Sequence, residues 1–265
     1  MKICCCIKQV PATTEVKINP ETKTLVREGI ENQINPFDLY ALEEAVRTKE
    51  RMEAAGEPST VTVVCKGAPH AEEQLREAIS LGADEAVLLT DRRMAGADTW
   101  CTSYELAAAL KRLEPDLVFC GMQAIDGDTG QVGPGIALHM NYAQAAYVAE
   151  IKSIEGKKMV VKRLLEEGYE VVELRLPAVL TVVKEINEPR TPSLRGKMAA
   201  KKAEITRWGA DDLNLPEDKI GLLGSPTQVV KVMTPPCRSG GEKFEGEPAE
   251  LAEKLYETLK CLEVV

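Results

Sequence analysis

Aromatic side chains are scarce in this chain of 265 residues: three Phe, two Trp and six Tyr make up 4% of it. A surface that stacks successive bases of a single strand needs more rings than that. Positive charge is also in deficit, with 33 Lys and Arg against 42 Asp and Glu and a formal net charge of −9. A net-acidic protein repels phosphate backbones and anionic lipid, so no nucleic-acid or membrane-surface role is expected. A long apolar run is missing as well. The longest stretch without a charge, Thr129–Ala149, has the length of a span but contains Gln131, Pro134, His139, Asn141 and Gln144.

Metal-ligating patterns are equally thin. There are two histidines, His70 and His139, no H-x-x-x-H and no C-x-x-C, so a zinc or iron centre is not expected. The eight cysteines, at 4, 5, 6, 65, 101, 120, 237 and 261, read as small buried apolar residues of a reducing compartment. The opening Met1-Lys2 leads into a strand-like run without a small-residue cleavage site, and the expectation is a soluble, cytoplasmic protein.

What is present is a core. Hydrophobic residues make up 44% and charged residues 28%, enough for one large domain with a solvated surface. Ile3–Lys8 is almost wholly apolar, the pattern of a strand buried on both faces. Glu15–Ile18 and Thr24–Arg27, around Asn19-Pro20-Glu21-Thr22, read as a small hairpin. Asn35-Pro36-Phe37-Asp38 predicts a helix start: Asn as cap, Pro at the first position, an acid against the positive end. Thr60–Cys65, Ala86–Leu89 and Leu117–Cys120 read as further buried strands, with helices over about 71–81, after Asp98, and over 131–140 between or after them. Strands alternating with helices imply crossovers and a parallel sheet, with the ligand crevice beyond the strands' C-terminal ends.

Beyond about residue 145 the texture changes. Tyr147–Ser153, Met159–Arg163 and Tyr169–Arg175 predict antiparallel strands, and Ala178–Val183 one more central strand. From Asn187 onward an exposed loop and short helix are expected, with a basic cluster at Arg195, Lys197, Lys201, Lys202 and Arg207. Pro235–Gly241 reads as extended, and a final helix from about Pro248 carries Leu251, Leu255, Leu259 and Leu262. The expected organisation is an α/β domain over 1–232 and a C-terminal arm over 233–265.

The most informative stretch runs Gly121-Met122-Gln123-Ala124-Ile125-Asp126-Gly127-Asp128-Thr129-Gly130-Gln131-Val132-Gly133-Pro134. It follows a buried strand and leads into a helix. Glycines let backbone turn tightly and approach a ligand, and N–H groups at a helix start bind phosphate. It is neither the dinucleotide fingerprint nor a P-loop, since G-x-G-x-x-G in the first strand–helix turn and G-K-[ST] are both missing. Asp126 and Asp128 would suit magnesium against a bound phosphate, or repel the phosphate without it. A capped glycine-rich turn with no ligand explains the spacing too.

In order along the chain, Lys8-Gln9-Val10-Pro11, Asn35-Pro36-Phe37-Asp38 leading into A-L-E-E-A-V-R, Gly121–Gly133, Leu176-Pro177-Ala178-Val179, Asn187-Glu188-Pro189-Arg190 and Ala200-Lys201-Lys202 resemble the beta subunits of electron-transfer flavoproteins. The resemblance covers essentially the whole chain. It implies a Rossmann-like fold related to the adenine nucleotide alpha hydrolases, a heterodimer with an alpha subunit, and electron transfer with a dehydrogenase. It also implies an adenine nucleotide lined by Cys6, Asn35, Pro36, Phe37, Asp38, Cys65, Gly121, Met122, Gln123, Ala124, Ile125, Asp126, Gly127, Asp128, Thr129, Gly130, Gln131 and Val132.

Members of this family hold either a structural AMP there or a second FAD that supports electron bifurcation. D-G-D-T-G-Q-V-G-P resembles the FAD-holding kind, with Gly130 where many such relatives carry Ala. The resemblance then implies NADH as hydride donor to the FAD, one electron passing to ferredoxin or flavodoxin, and the other through the alpha-subunit FAD to an acyl-CoA or 2-hydroxy-acid dehydrogenase. No side chain is assigned a catalytic role, because the flavin carries the chemistry. Leu194, in the loop with Arg190, matches the leucine that anchors the dehydrogenase. A nucleotide-binding signalling or stress protein is the alternative from another class. An ATP-splitting relative lacks its S-G-G-x-D-[ST] loop, whose place Lys8-Gln9-Val10-Pro11 takes.

Overall fold

A computed structural model of the protein describes residues 1–12, 31–230, 241 and 243–264. The hairpin expected over 15–27, Cys237 and the 235–240 part of the extended segment lie outside the described residues. The chain divides into two compact units, Met1–Val229 and Val230–Val265.

The first unit is built on a sheet of nine strands. Next to its middle lies β1 (Lys2–Ile7), flanked by β4 (Thr60–Lys66) and β6 (Leu117–Gly121), both parallel to it. Beyond β4 lies β5 (Glu85–Leu89), and beyond β6 lies β10 (Ala178–Val182), again parallel. The apolar run of β1 is explained by two faces that both need covering. Ile3, Cys5 and Ile7 pack with Phe119, Leu180 and Leu42 on one side, whereas Cys4 and Cys6 pack with Val118, Val179 and Leu110 on the other. Burying such strands on both faces contributes roughly 1.5–3 kcal/mol per large apolar side chain. Cys4, Cys5, Cys6, Cys65, Cys101 and Cys120 are all buried, and Cys261 is exposed.

Helices cover the two faces. α1 (Pro36–Ala54) and α2 (Glu72–Ser80) face one side of the sheet, through Ala41, Leu42, Ala45 and Val46 from the first and Leu75, Ala78 and Ile79 from the second. α3 (Thr99–Leu113) and α4 (Val132–Met140) cover the other, and Asp98 caps α3 by accepting from the Cys101 N–H at 3.0 Å. Gly82 follows α2 with φ +122°, a backbone that glycine takes without strain.

The antiparallel extension differs from the expectation at its start. β7 (Ala143–Glu155) begins four residues before Tyr147 and serves two partners. Its first half runs parallel to β10, and its second half pairs antiparallel with β8 (Lys158–Leu165), which pairs with β9 (Gly168–Arg175). Three shorter strands escape the sequence pattern. β2 (Gln9–Pro11) and β3 (Asn32–Ile34) form a separate antiparallel pair, and β11 (Ile205–Trp208) adds to the edge of the main sheet beside β5. At three or four residues each they are too short to show periodicity, and the free edge of β5 selects the last of them.

The loop before α5 (Leu194–Lys202) is clamped from below. Arg190 donates to buried Glu43 at 2.8 Å and to Glu50 at 2.7 Å. Burial pushes the Glu43 carboxyl up, but the hydrogen bonds from Arg190 and Arg47 outweigh it and hold the group below its usual range. The second unit carries α6 (Pro248–Cys261), none of whose residues is buried. No described helix is long and apolar enough to cross a membrane.

Candidate functional site

The order β5-β4-β1-β6-β10 means that the chain builds outward from β1 first in one direction and then in the other. The reversal lies between β1 and β6. In open parallel sheets the connections diverge at such a point and leave a crevice beyond the strand ends. Cys6 stands at the C-terminal end of β1, Cys65 near that of β4, and Gly121 closes β6. The sequence-predicted residues therefore converge on the one place where the topology opens.

Asn35 and Asp38 do more there than start a helix. Asn35 occupies the cap position of α1, yet its side chain makes no capping bond. It is fully buried and turned across the crevice, donating through Nδ2 to the Gln123 carbonyl at 2.8 Å and accepting through Oδ1 from the Ile125 N–H at 3.1 Å. This corrects the expected capping role: the amide staples the glycine loop. Asp38 accepts from the Lys8 N–H at 2.7 Å and from the Gly121 N–H at 3.2 Å, joining the ends of β1 and β6. Burial pushes its carboxyl up to about 7, against the hydrogen bonds that favour the charged form.

The loop between β6 and α4 is held at several points. Met122 donates to the Val182 carbonyl at 3.0 Å, and the N–H groups of Gly127 and Asp128 close a turn onto the Ala124 carbonyl at 3.3 and 2.8 Å. Lys8 Nζ pairs with Asp126 at 2.6 Å, the Gln123 amide donates to Asp128, and Thr99 and Thr129 hydroxyls meet at 3.4 Å. Asp126 and Asp128 are thus each taken up by a different partner. Among the described residues no cluster of His, Cys, Asp or Glu suits a metal ion.

Glycine shapes the rest of the loop. Gly130 has φ +62°, in the left-handed region, so the loop tip turns there without a side chain. A Cβ on Gly127 would meet only Lys8 Nζ, at 3.8 Å, which leaves that side of the loop open. Gln131 precedes α4 without a side-chain cap, so the first N–H groups of this nine-residue helix face the loop with positive partial charge. The thiols add no nucleophile: burial pushes Cys65 up to about 12. Backbone donors, one lysine and small residues line the loop, an arrangement that can receive a phosphate-bearing ligand.

The residues expected to dock a partner lie on α5 and on the loop before it. Leu194 opens α5 and is 78% exposed, and Met198, one turn on, is 57% exposed. Ser193 Oγ caps this helix by accepting from Gly196 at 2.9 Å. Arg190 is the clamp on the preceding loop, with its guanidinium divided between Glu43 and Glu50. Within the basic cluster Arg207 is paired with Glu72, whereas Arg195, Lys197, Lys201 and Lys202 are exposed. Tyr147, which sequence reasoning passed over, also borders the glycine loop, its phenol oxygen 3.6 Å from where a Cβ on Gly130 would stand.

Comparison with known proteins agrees with this geometry. Residues 22–213 match the electron transfer flavoprotein domain. The chain is 48% identical over 266 residues to the electron transfer flavoprotein subunit beta of Thermoanaerobacterium thermosaccharolyticum, covering 100% of both chains. It is 48% identical over 263 residues to the caffeyl-CoA reductase-Etf complex subunit CarD of Acetobacterium woodii, covering 98% of each. To the protein FixA of Azorhizobium caulinodans it is 43% identical over 247 residues, covering 90% of this chain and 86% of the relative. With this similarity along its whole length, the chain belongs to the electron transfer flavoprotein family as a beta subunit, and its role lies in electron transfer.

Proposed function

We propose that this chain is the electron-carrier subunit of a bifurcating heterodimer: it holds FAD in the crevice between β1 and β6 and accepts a hydride from NADH. It then sends one electron to a ferredoxin or flavodoxin and the other, through the FAD of an alpha subunit, to an acyl-CoA or 2-hydroxy-acid dehydrogenase. The observation that carries the reading is the shape of the glycine loop. A Cβ at Gly127 would have only Lys8 Nζ near it and Gly130 turns the tip, so neither position sets a side chain against a ligand longer than a mononucleotide. Bound there, FAD supplies exchange of two electrons with NADH and of single electrons with the acceptors. The protein's part is to hold the phosphates on the α4 N-terminus and to keep the loop rigid through Asn35 and Asp38. The name of the Acetobacterium woodii relative, a subunit of a caffeyl-CoA reductase complex, favours a partner acting on CoA thioesters.

Released cofactor distinguishes this from a structural AMP. The assembled heterodimer, freed of loose ligand, is expected to yield two FAD and no AMP. One FAD with one AMP would make the chain a structural and docking subunit. Neither ligand in a folded complex would remove the nucleotide site.

Two surfaces serve the assembly. The C-terminal arm packs on the alpha subunit through α6, a reading supported by Leu251, Leu255 and Leu259 on one side of that helix, none of them buried. Leu194 seats in a pocket of the dehydrogenase, with Arg195, Lys197, Lys201 and Lys202 steering an acidic surface. Leu194→Ala is expected to lower the rate of electron exchange with the dehydrogenase about 30-fold, the scale of a hot-spot side chain. Flavin content stays unchanged, because Leu194 lies outside the crevice. Unaltered stopped-flow rates at low partner concentration would exclude this docking role.

A further inference from the structure

We infer that Tyr147 is a ligand-binding residue of the crevice, whose phenol donates a hydrogen bond to a phosphate of the bound nucleotide. This rests on the nucleotide reading of the site and extends it to a residue on a different strand. Among the described non-glycine residues six have positive φ, and Tyr147 (φ +59°) is the one aromatic. Glu114 and Asn141 sit at helix C-termini, where such a backbone is the usual terminator. A tyrosine inside a strand has no such reason, and a bulky side chain is strained there.

The strain traces to a bulge. Ala145 pairs with Leu180 and Val148 with Val182, so three steps on β7 match two on β10. In regular register Tyr147 would share the face of buried Ala145 and point into the core. The extra residue gives that place to Val148, fully buried, and turns Tyr147 outward, where it is 36% exposed. The conformation is held by the Tyr147 N–H, which donates to Thr181 Oγ1 at 3.1 Å. Thr181 in turn fills the space beside Gly133, in the first turn of α4. The phenol oxygen ends 3.6 Å from the position of a Cβ on Gly130, beside the uncapped helix start, and has no hydrogen-bond partner among the described residues. A donor displayed at the loop tip, next to backbone N–H groups, matches a phosphate oxygen of either a mononucleotide or a dinucleotide.

The test titrates AMP, FAD and adenosine into the ligand-stripped complex of the full-length chain with its alpha subunit. Tyr147→Phe keeps the ring and the bulge and removes only the hydroxyl. It is expected to weaken AMP and FAD by about 5- to 10-fold, the effect of one hydrogen bond, and to leave adenosine unchanged. Tyr147→Asn, which the left-handed backbone accepts more readily, is expected to fold as the parent does and to show at least the same loss. Parent-like affinity for AMP and FAD in both variants overturns the inference, and so does equal weakening of all three ligands, which would mark ring packing instead. Binding of AMP without FAD by the parent complex rejects the FAD reading while the Tyr147 effect is still read on AMP. Binding of none of the three rejects the site and the inference together.

Discussion

Urea unfolding of an Asp38→Asn variant is expected to show a stability deficit of about 1–3 kcal/mol at pH 5 that shrinks or reverses by pH 8. The deficit arises because Asp38 accepts from two backbone donors, Lys8 and Gly121, and an amide has only one acceptor oxygen. The reversal follows from linkage. Burial raises the Asp38 carboxyl from 3.8 to about 7 in the folded chain. Below the unfolded value both states carry the proton, and the group adds no pH dependence. As pH rises from there toward 7 the unfolded chain ionises first, so stability is progressively lost, and the loss is complete above the folded value. At about 1.4 kcal/mol per pH unit the full loss is on the order of 4 kcal/mol, and asparagine is free of it. A deficit that stays constant between pH 5 and 8 would show that Asp38 is ionised throughout. Asp38→Ala is expected to be worse at every pH, because both buried N–H groups then lack an acceptor.

A side chain at position 121 is expected to destroy the site outright. A Cβ on Gly121 would clash with Asp38 Oδ1 and stand 2.7 Å from the backbone carbonyl carbon of Phe37 and 2.8 Å from its Cβ. Backbone cannot yield as a flexible side chain does, so the start of α1 must move away from the end of β6. Gly121→Ala is expected to lose about 3 kcal/mol, the upper part of the overpacking range, and roughly 6–12 °C in Tm for a domain of this size. Bound nucleotide is lost with it, because Asn35 and Asp38 move together with the helix start. Gly127→Ala is the control, with nothing but Lys8 Nζ within 4 Å of the added methyl. Its stability stays within about 0.5 kcal/mol of the parent. A Gly121→Ala chain that melts with the parent would show that α1 and β6 are not in contact through this glycine.

These effects separate what can be read locally from what cannot. The I-C-C-C-I run of β1, the N-P-F-D helix start, the capping Asp98 and the glycine loop after β6 are legible in the chain because each rests on neighbours a few residues away. Hydrophobic period, cap chemistry and backbone permissiveness act over one or two turns. They are enough to place a crevice at the ends of β1, β4 and β6, and the residues expected to line it are those the family resemblance implies.

The duties of those residues depend on partners far along the chain. Asn35 reads as a cap, yet it holds Gln123 and Ile125, 88 and 90 residues on, because β1 and β6 lie side by side in register. Arg190 is drawn to Glu43 and Glu50 across 147 and 140 residues, and β11 is a strand because β5 has a free edge. Tyr147 is turned toward the glycine loop by a single extra residue on β7, and a bulge leaves alternation too brief to detect. Register and edge pairing are set by the packing of the whole sheet. Local pattern therefore marks the elements around this crevice, and the assembled sheet assigns their residues their partners.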